Sequence, residues 1–437
     1  MDSTIVGILG LVIFLIMLFL GMPVSFSMLF SGFWGLCYLR SADAAFNLVS
    51  KDIFIQFSAY SLTVVPMFVF MGFIAYHSGI GAGLFKLSYR AIGHFRGGLA
   101  LAAQVACAIF GAICGSLAAS VATIGTIAYP EMKKFDYADS LSAASIAAGA
   151  SIGSLIPPSV LFIIYGISAE QSIGRLFLAG VFPGILLTLA NMVVIYILCR
   201  RNAQLGPAGK RSTFKEIVAT LNEGLIEVII VFIVSLGGLF IGWFSPTEAG
   251  AVGALALLIV TAIQKKMDWP KLKAALLDTT KLSAMIFLLI AGATVFGHFF
   301  ALSRIPANLA TWVTMLNVPD FVVLLCIVLI YFLLGMFIDS LALILLTVPI
   351  FYPLVVGSMG YDPIWFGAII ILVAVMGAIT PPVGLNLFIM KSVAPSVAVS
   401  SIFKGVWPFV LALLICIILI IIFPEIAIWL PQVVYGS

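Results

Sequence analysis

The sequence predicts an all-α polytopic membrane protein built from inverted repeats, with two re-entrant helical hairpins and two broken helices. Three observations carry that prediction. Of 437 residues, 63% are hydrophobic and only 9% charged, with a mean hydropathy of +1.26, so lipid rather than a soluble core must receive most of the surface. A set of prolines, glycines and hydroxyls recurs at a fixed offset, and the charges flanking the two copies differ in sign.

The spans come first. A bilayer crossing takes about 20 apolar residues, and residues 3–39, 53–85, 97–130, 140–169, 176–199, 228–247, 282–303, 321–338 and 405–424 supply such stretches. The first stretch lacks a basic leader and a small-residue cleavage site, which predicts a retained span. Cys37, Cys107, Cys114, Cys199, Cys326 and Cys416 are scattered through apolar segments without metal-ligand spacing and read as small membrane-buried side chains. The net charge of +4 sits in connectors, so it marks topology rather than a nucleic-acid surface.

The repeat comes second. Pro157 and Pro381 stand 224 positions apart, and the same offset pairs Gly111 with Gly335, Ser116 with Ser340, Thr123 with Thr347, Gly153 with Gly377 and Pro158 with Pro382. Residues 97–130 are too long for one crossing and too short for two with a turn. A hairpin over 97–131 fits, with Gly115 and Ser116 at its tip. Its partner over 320–357 carries Asp339 and Ser340 at the equivalent place.

Charge orients the hairpins. Lys86, Arg90, Arg96, Lys133 and Lys134 bracket the first, which places its ends in the cytoplasm. The second lies in a stretch without Lys or Arg from 305 to 390 and is flanked by Asp320 and Asp362, which places its ends outside. Five spans between them, 140–169, 176–199, 228–244, 248–264 and 282–303, make the repeats inverted and put the basic connectors 200–215 and 265–273 inside. About ten spans plus two hairpins result. Segments 80–93 and 305–316 read as interfacial arms, and 269–281 as an interfacial amphipathic helix. The chain thus divides into N-terminal scaffold spans (1–77), the first repeat (78–199, with a broken helix at 140–169), connectors and scaffold spans (200–281), and the second repeat (282–437, with a broken helix at 363–391).

Chemistry concentrates at the tips and breaks. Each hairpin is followed by a Gly-to-Pro-Pro interruption, Gly153 to Pro157 and Pro158, and Gly377 to Pro381 and Pro382. Proline lacks an amide hydrogen and clashes with the preceding turn, so these pairs free carbonyls at mid-span. Freed carbonyls can coordinate sodium, or the breaks can be packing kinks alone. Candidate oxygen ligands are Ser116, Thr123, Ser154 and the carbonyls around Gly153 and Ile156 in the first half. In the second they are Asp339, Ser340, Thr347, Thr380 and the carbonyls around Gly377 and Ile379. For each hydroxyl the alternative is interhelical packing, and for Asp339 it is a helix N-cap. Substrate-contacting residues are not legible.

Several classes are excluded. No GxxxxGK[ST] motif is present, so a gradient must drive any uphill movement. His77, His94 and His298 lack paired spacing and lie far in sequence from Ser116 and Asp339, which argues against a metal site and an intramembrane enzyme.

At 111–125, 153–159, 335–340 with Pro349 and Pro353, and 377–386, the sequence resembles the large membrane subunit of TRAP (tripartite ATP-independent periplasmic) transporters. Cys114 stands where that family more often has serine. The resemblance covers nearly the whole chain. It implies an elevator-type fold of the ion transporter superfamily kind, Na+ as coupling ion, a small membrane subunit as partner, and a periplasmic substrate-binding protein that delivers a small organic anion, mostly a carboxylate, across the inner membrane. The alternative is a stand-alone sodium:dicarboxylate-type symporter.

Overall fold

The computed structural model describes residues 2–436 except 316, 317 and the side chain of Thr314. It is helical, with no strand among the described residues. An N-terminal pair, α1 (Ser3–Phe19) and α2 (Val24–Leu39), is followed by α3 (Ala42–Ser58), α4 (Val64–Ser78) and α5 (Ile80–Ile92). The first hairpin is α6 (Gly98–Cys114) and α7 (Leu117–Lys134), and the first broken helix is α8 (Asp139–Ile152) and α9 (Val160–Ser168). Next come α10 (Ile173–Arg201), the connector helix α11 (Phe214–Ala219), and α12 (Leu225–Val231), which runs through a π-helical segment (Phe232–Gly237) into α13 (Gly238–Ile241). Two long helices, α14 (Pro246–Ile263) and α15 (Trp269–Leu302), lead to the arm α16 (Ile305–Met315). The second half repeats the pattern with α17 (Asp320–Gly335), α18 (Ser340–Tyr352), α19 (Pro363–Ala378) and α20 (Leu385–Val393), and closes with α21 (Val399–Ile422) and α22 (Glu425–Tyr435).

Six described helices are long and apolar enough by themselves to cross a membrane. The expectation of about ten crossings depends also on shorter apolar helices, such as α1 and α2 at 17 and 16 residues. Rows of large apolar side chains face outward, among them Ile185, Leu189 and Val193 on α10 and Leu411, Ile415 and Ile418 on α21. In water such rows would drive association; acyl chains cover them in a bilayer.

Two features differ from expectation. Residues 269–281 do not form a separate interfacial helix, because nothing breaks the chain there: Asp268 caps the start, accepting from Lys271 N at 2.9 Å, and α15 continues for 34 residues. At 1.5 Å per residue it is roughly 51 Å long, so its lysine-bearing first turns extend beyond a hydrocarbon core of about 30 Å. The apolar stretch 53–85 is also divided, with α3 ending at Ser58 and a new crossing starting at Tyr60. The expected arms are helical over Ile80–Ile92 and Ile305–Met315, and residue 316 lies outside the described residues.

The connector after α10 fixes both ends of the first hairpin. Gly97 N donates to Gly206 O at 2.9 Å and Ala138 N to Leu205 O at 3.1 Å. Between them, the Tyr137 hydroxyl donates to Pro207 O at 2.8 Å and accepts from Leu99 N at 3.2 Å. Burial pushes that hydroxyl up to about 12, so it stays a neutral donor. Lys86 on α5 reaches Glu223 at 2.6 Å at this same basic end. From there α8 runs along α6 and α7, and α9 packs against α18 and α10. On α9 the Tyr165 hydroxyl donates to Pro363 O at 2.6 Å, and just after it Gln171 Nε2 donates to the Tyr352 hydroxyl at 2.8 Å. Tyr352 and Pro363 flank the open end of the second hairpin, so the two hairpins are held at their open ends by different partners, the first by the connector after α10 and the second by α9 and the residues that follow it.

Glycines set how close these elements come. A Cβ on Gly111 would stand 2.2 Å from Gly153 Cα, and one on Gly377 would stand 2.4 Å from Gly335 C. Each hairpin's first arm therefore crosses the helix before the break backbone to backbone, the small-residue contact by which helices gain dispersion energy in lipid. The halves also exchange contacts: α7 packs on α20 and α18 on α9. Outside this body, α2, α4, α14 and α15 pack together.

Candidate translocation site

The first tip is built on Gly115. Its φ of +59° is left-handed, and a Cβ there would stand 2.4 Å from Pro158 O, so glycine alone lets the chain reverse against the break. Ser116 then caps α7, its Oγ accepting from Ala119 N at 3.4 Å. Val160 N donates to Gly115 O at 3.3 Å, joining tip to break. Within the break, a cis Pro157–Pro158 bond precedes Ser159, whose hydroxyl donates to Ser154 O and accepts from Phe162 N. Ser154 Oγ donates to Ser151 O at 2.7 Å.

The second tip follows the same plan with different chemistry. Asp339 is the N-cap of α18, its Oδ2 accepting from Leu341 N at 3.0 Å. A carboxylate keeps further lone pairs after one such bond, so capping does not exhaust it. Ser340 Oγ donates to Ala374 O at 3.3 Å, tying the tip to α19. Gly384 N donates to Met336 O at 3.3 Å, the counterpart of the Val160 link. The Pro381–Pro382 bond is cis as well.

Both tips and both breaks line one cavity of about 200 Å³. Of the candidate residues, Ser116, Ser154, Asp339 and Ser340 border it. Thr123, Gly153, Ile156, Thr347, Gly377, Ile379 and Thr380 do not. Thr123 Oγ1 donates to Ala119 O at 2.7 Å, Thr347 Oγ1 to Leu343 O at 2.6 Å and Thr380 Oγ1 to Met376 O at 2.6 Å. Those bonds use the hydroxyl protons and leave acceptor lone pairs free. The Ile156 side chain lies against Gly184 on α10, so only its backbone is available to a ligand. Among the described residues that line the cavity, Asp339 is the one with an acidic or basic side chain, with no Lys, Arg or His. Leu282 and Met285 of α15 supply the facing wall. A second cavity of about 540 Å³ shares Ser116, Ala118, Leu282 and Met285 and reaches Asp278 and Lys281. The lysine-bearing end of α15 leads there, so the central cavity continues toward the basic end.

Sequence reasoning missed three polar groups. Ser120 Oγ and Ser151 Oγ are buried without a partner near the first break, the former 3.1 Å from where a Cβ on Gly153 would stand. Asn386 lies in the first turn of α20, 1% exposed, with neither amide atom hydrogen-bonded. Ser120 is one helical turn from Ser116, a signal available in the sequence. Among the described residues no group of three His, Cys, Asp or Glu side chains is placed to hold a metal ion.

A family model described as the DctM component of the tripartite ATP-independent periplasmic transporter matches residues 11–426. The C4-dicarboxylate TRAP transporter large permease protein DctM of Pseudomonas aeruginosa is 35% identical over 395 residues, which is 90% of this chain and 91% of that protein. The sialic acid TRAP transporter large permease protein SiaM of Vibrio cholerae is 34% identical over 439 residues, covering 100% and 99%. Among solved structures, the YdaH transporter of Alcanivorax borkumensis shares the fold with a TM-score of 0.64 at 16% identity, over 91% of this chain and 90% of that one. The relatives are permeases rather than enzymes. With its apolar helices and its match along nearly the whole length, the chain belongs to the DctM component family of TRAP transporters and is a multi-pass membrane transport protein.

Proposed function

We propose that this chain carries a small organic anion across the inner membrane with sodium as the coupling ion. It would work as the translocating subunit beside a small membrane subunit and a periplasmic substrate-binding protein. The observation that carries the reading is the shared cavity, where the two hairpin tips meet around a single carboxylate, Asp339. An intramembrane carboxylate is costly and marks ion work by default. It would also repel an anionic substrate unless a cation arrives first. Sodium suits sites of hydroxyls and carbonyls with at most one formal charge, unlike the carboxylate-rich sets of calcium.

The first sodium would sit among Ser116, Ser120, Ser151, Ser154 and the freed carbonyls of the first break. The second would sit near Asp339 and Ser340 with the Thr380 hydroxyl oxygen and the carbonyls around Gly377 and Ile379. Each bound cation would fasten a tip to its broken helix, complete the pocket and raise substrate affinity by reciprocal linkage. An elevator motion is supported by the make-up of the wall, since every polar liner comes from the hairpins and broken helices and only apolar Leu282 and Met285 come from α15. Inverted repeats account for the paired Gly111–Gly153 and Gly335–Gly377 crossings. The names of the P. aeruginosa and V. cholerae relatives support an organic-anion substrate and partner subunits.

The test is uptake into proteoliposomes under an inward sodium gradient. The complete three-component system should concentrate substrate and the chain alone should not. Robust uptake by the chain alone would favour the stand-alone symporter, and uptake indifferent to sodium would remove the coupling ion.

A further inference from the structure

We infer that Asn386 is a substrate-contacting residue, holding the anionic group of the organic acid against the N-terminus of α20. The inference rests on the organic-anion reading above and adds the contact that reading lacks. Asn386 is 1% exposed, borders the central cavity, and has no hydrogen-bond partner for either Nδ2 or Oδ1. Burying an amide without hydrogen-bond partners is costly, so a residue in this condition is poised for a ligand that supplies the missing partner. Of the other polar side chains around the cavity, Ser154 donates to Ser151 O and Ser340 to Ala374 O, while Ser116 and Asp339 act as helix caps that accept from Ala119 N and Leu341 N. Among the described residues of this wall, Asn386 alone offers a free N–H donor side chain.

Its placement supplies the second half of the recognition. Asn386 follows Leu385, the first residue of the nine-residue helix α20, whose N-cap Gly384 provides no side chain to satisfy the first amides. Those amides and the helix dipole favour negative charge at this end. Leu385 borders the same cavity. A carboxylate there would accept from the Asn386 Nδ2 and from the Leu385 and Asn386 amides, the Leu387 amide being bonded to Gly384 O at 2.8 Å. Among the described residues the wall holds no Lys or Arg, so neutral donors, together with the cation drawn by Asp339, must balance the substrate's charge. The Oδ1 of Asn386 remains an acceptor for a substrate hydroxyl or amide, which gives the same residue a role in specificity.

Asn386→Asp keeps the shape and replaces the donor with a negative charge, and Asn386→Leu keeps the approximate volume without polar atoms. The probes are radiolabelled succinate, a C4-dicarboxylate, and N-acetylneuraminate, a sialic acid, offered to the complete reconstituted system. For whichever probe the wild type concentrates, both variants should raise the half-saturating concentration at least tenfold, Asn386→Asp more than Asn386→Leu. Sodium-dependent protection against thermal unfolding, measured without substrate, should remain at the wild-type level in Asn386→Leu. Unchanged half-saturation in both variants, or a loss confined to protein yield and maximal rate, overturns the assignment. Loss of sodium protection in Asn386→Leu with unchanged half-saturation would also overturn it, making Asn386 a cation ligand instead. If the wild type shows no sodium protection, the coupling-ion reading fails whatever Asn386 does. Failure of the wild type to concentrate either probe contradicts the organic-anion reading and removes the basis of the assignment with it.

Discussion

The two tip-and-break pairs share a backbone and differ in charge. Both cross glycine on glycine, at Gly111 with Gly153 and at Gly335 with Gly377, and both continue through a cis Pro-Pro bond into a nine-residue half helix. Around the first pair the side chains are neutral hydroxyls, Ser116, Ser120, Ser151, Ser154 and Ser159, two of them unpartnered. The second offers a carboxylate at the tip and an unpartnered amide at the break, Asp339 and Asn386. Geometry has thus been kept where backbones touch, while the polar groups have diverged. The lesson is that the crossing is a structural requirement common to both halves and the side chains around it set what each half binds.

The largest effect should come from filling the crossings. In Gly377→Val the new Cβ would stand 2.4 Å from Gly335 C, and in Gly111→Val 2.2 Å from Gly153 Cα. Overpacking of that kind costs about 1–3 kcal/mol and often more when backbone must move. Both variants should unfold at clearly lower temperature in detergent and lose transport. Gly357→Ala, where nothing lies within 4 Å, should leave the melting temperature unchanged. A crossing variant as stable as wild type would break the structural half of the comparison.

Orientation gives a qualitative contrast. In a cysteine-free background, a cysteine replacing Lys134 should be labelled from the cytoplasm and one replacing Asp362 from the periplasm. Labelling of both from one side would make the hairpins parallel and dissolve the inverted arrangement.

A smaller effect should distinguish how the two hairpins are anchored. Tyr137→Phe removes the donor to Pro207 O and the acceptor for Leu99 N, worth about 1 kcal/mol. It should lower the melting temperature slightly without altering the sodium dependence of uptake. A changed sodium curve would mean that the anchored ends, and not the tips alone, govern ion binding.

Much of this fold is written in the sequence because lipid enforces simple rules. Tips at Gly115 and Ser116, and at Asp339 and Ser340, are legible since a hairpin must turn where glycine and hydroxyls interrupt an apolar run. Prolines 157, 158, 381 and 382 mark both breaks because proline cannot continue a helix. The extension of α15 back to Trp269 was not legible, since a charged amphipathic stretch reads alike whether it lies on a membrane or projects from a span. Asn386 and Ser151 escaped notice because an isolated polar residue in an apolar helix carries no sign of which wall it faces. Only the packing of α20 against α7 and of α8 against α6 fixes that.

The most direct test of the central claim, that each pair holds a coupling sodium beside one shared anion cavity, is initial uptake rate against sodium concentration in the complete reconstituted system. Asp339→Asn should raise the half-saturating sodium concentration about tenfold, roughly 1.4 kcal/mol. Thr380→Val should shift it in the same direction by less, because one neutral oxygen is lost rather than a charge. Superimposable sodium curves for wild type and both variants, at normal expression and stability, would contradict the account by removing the second site.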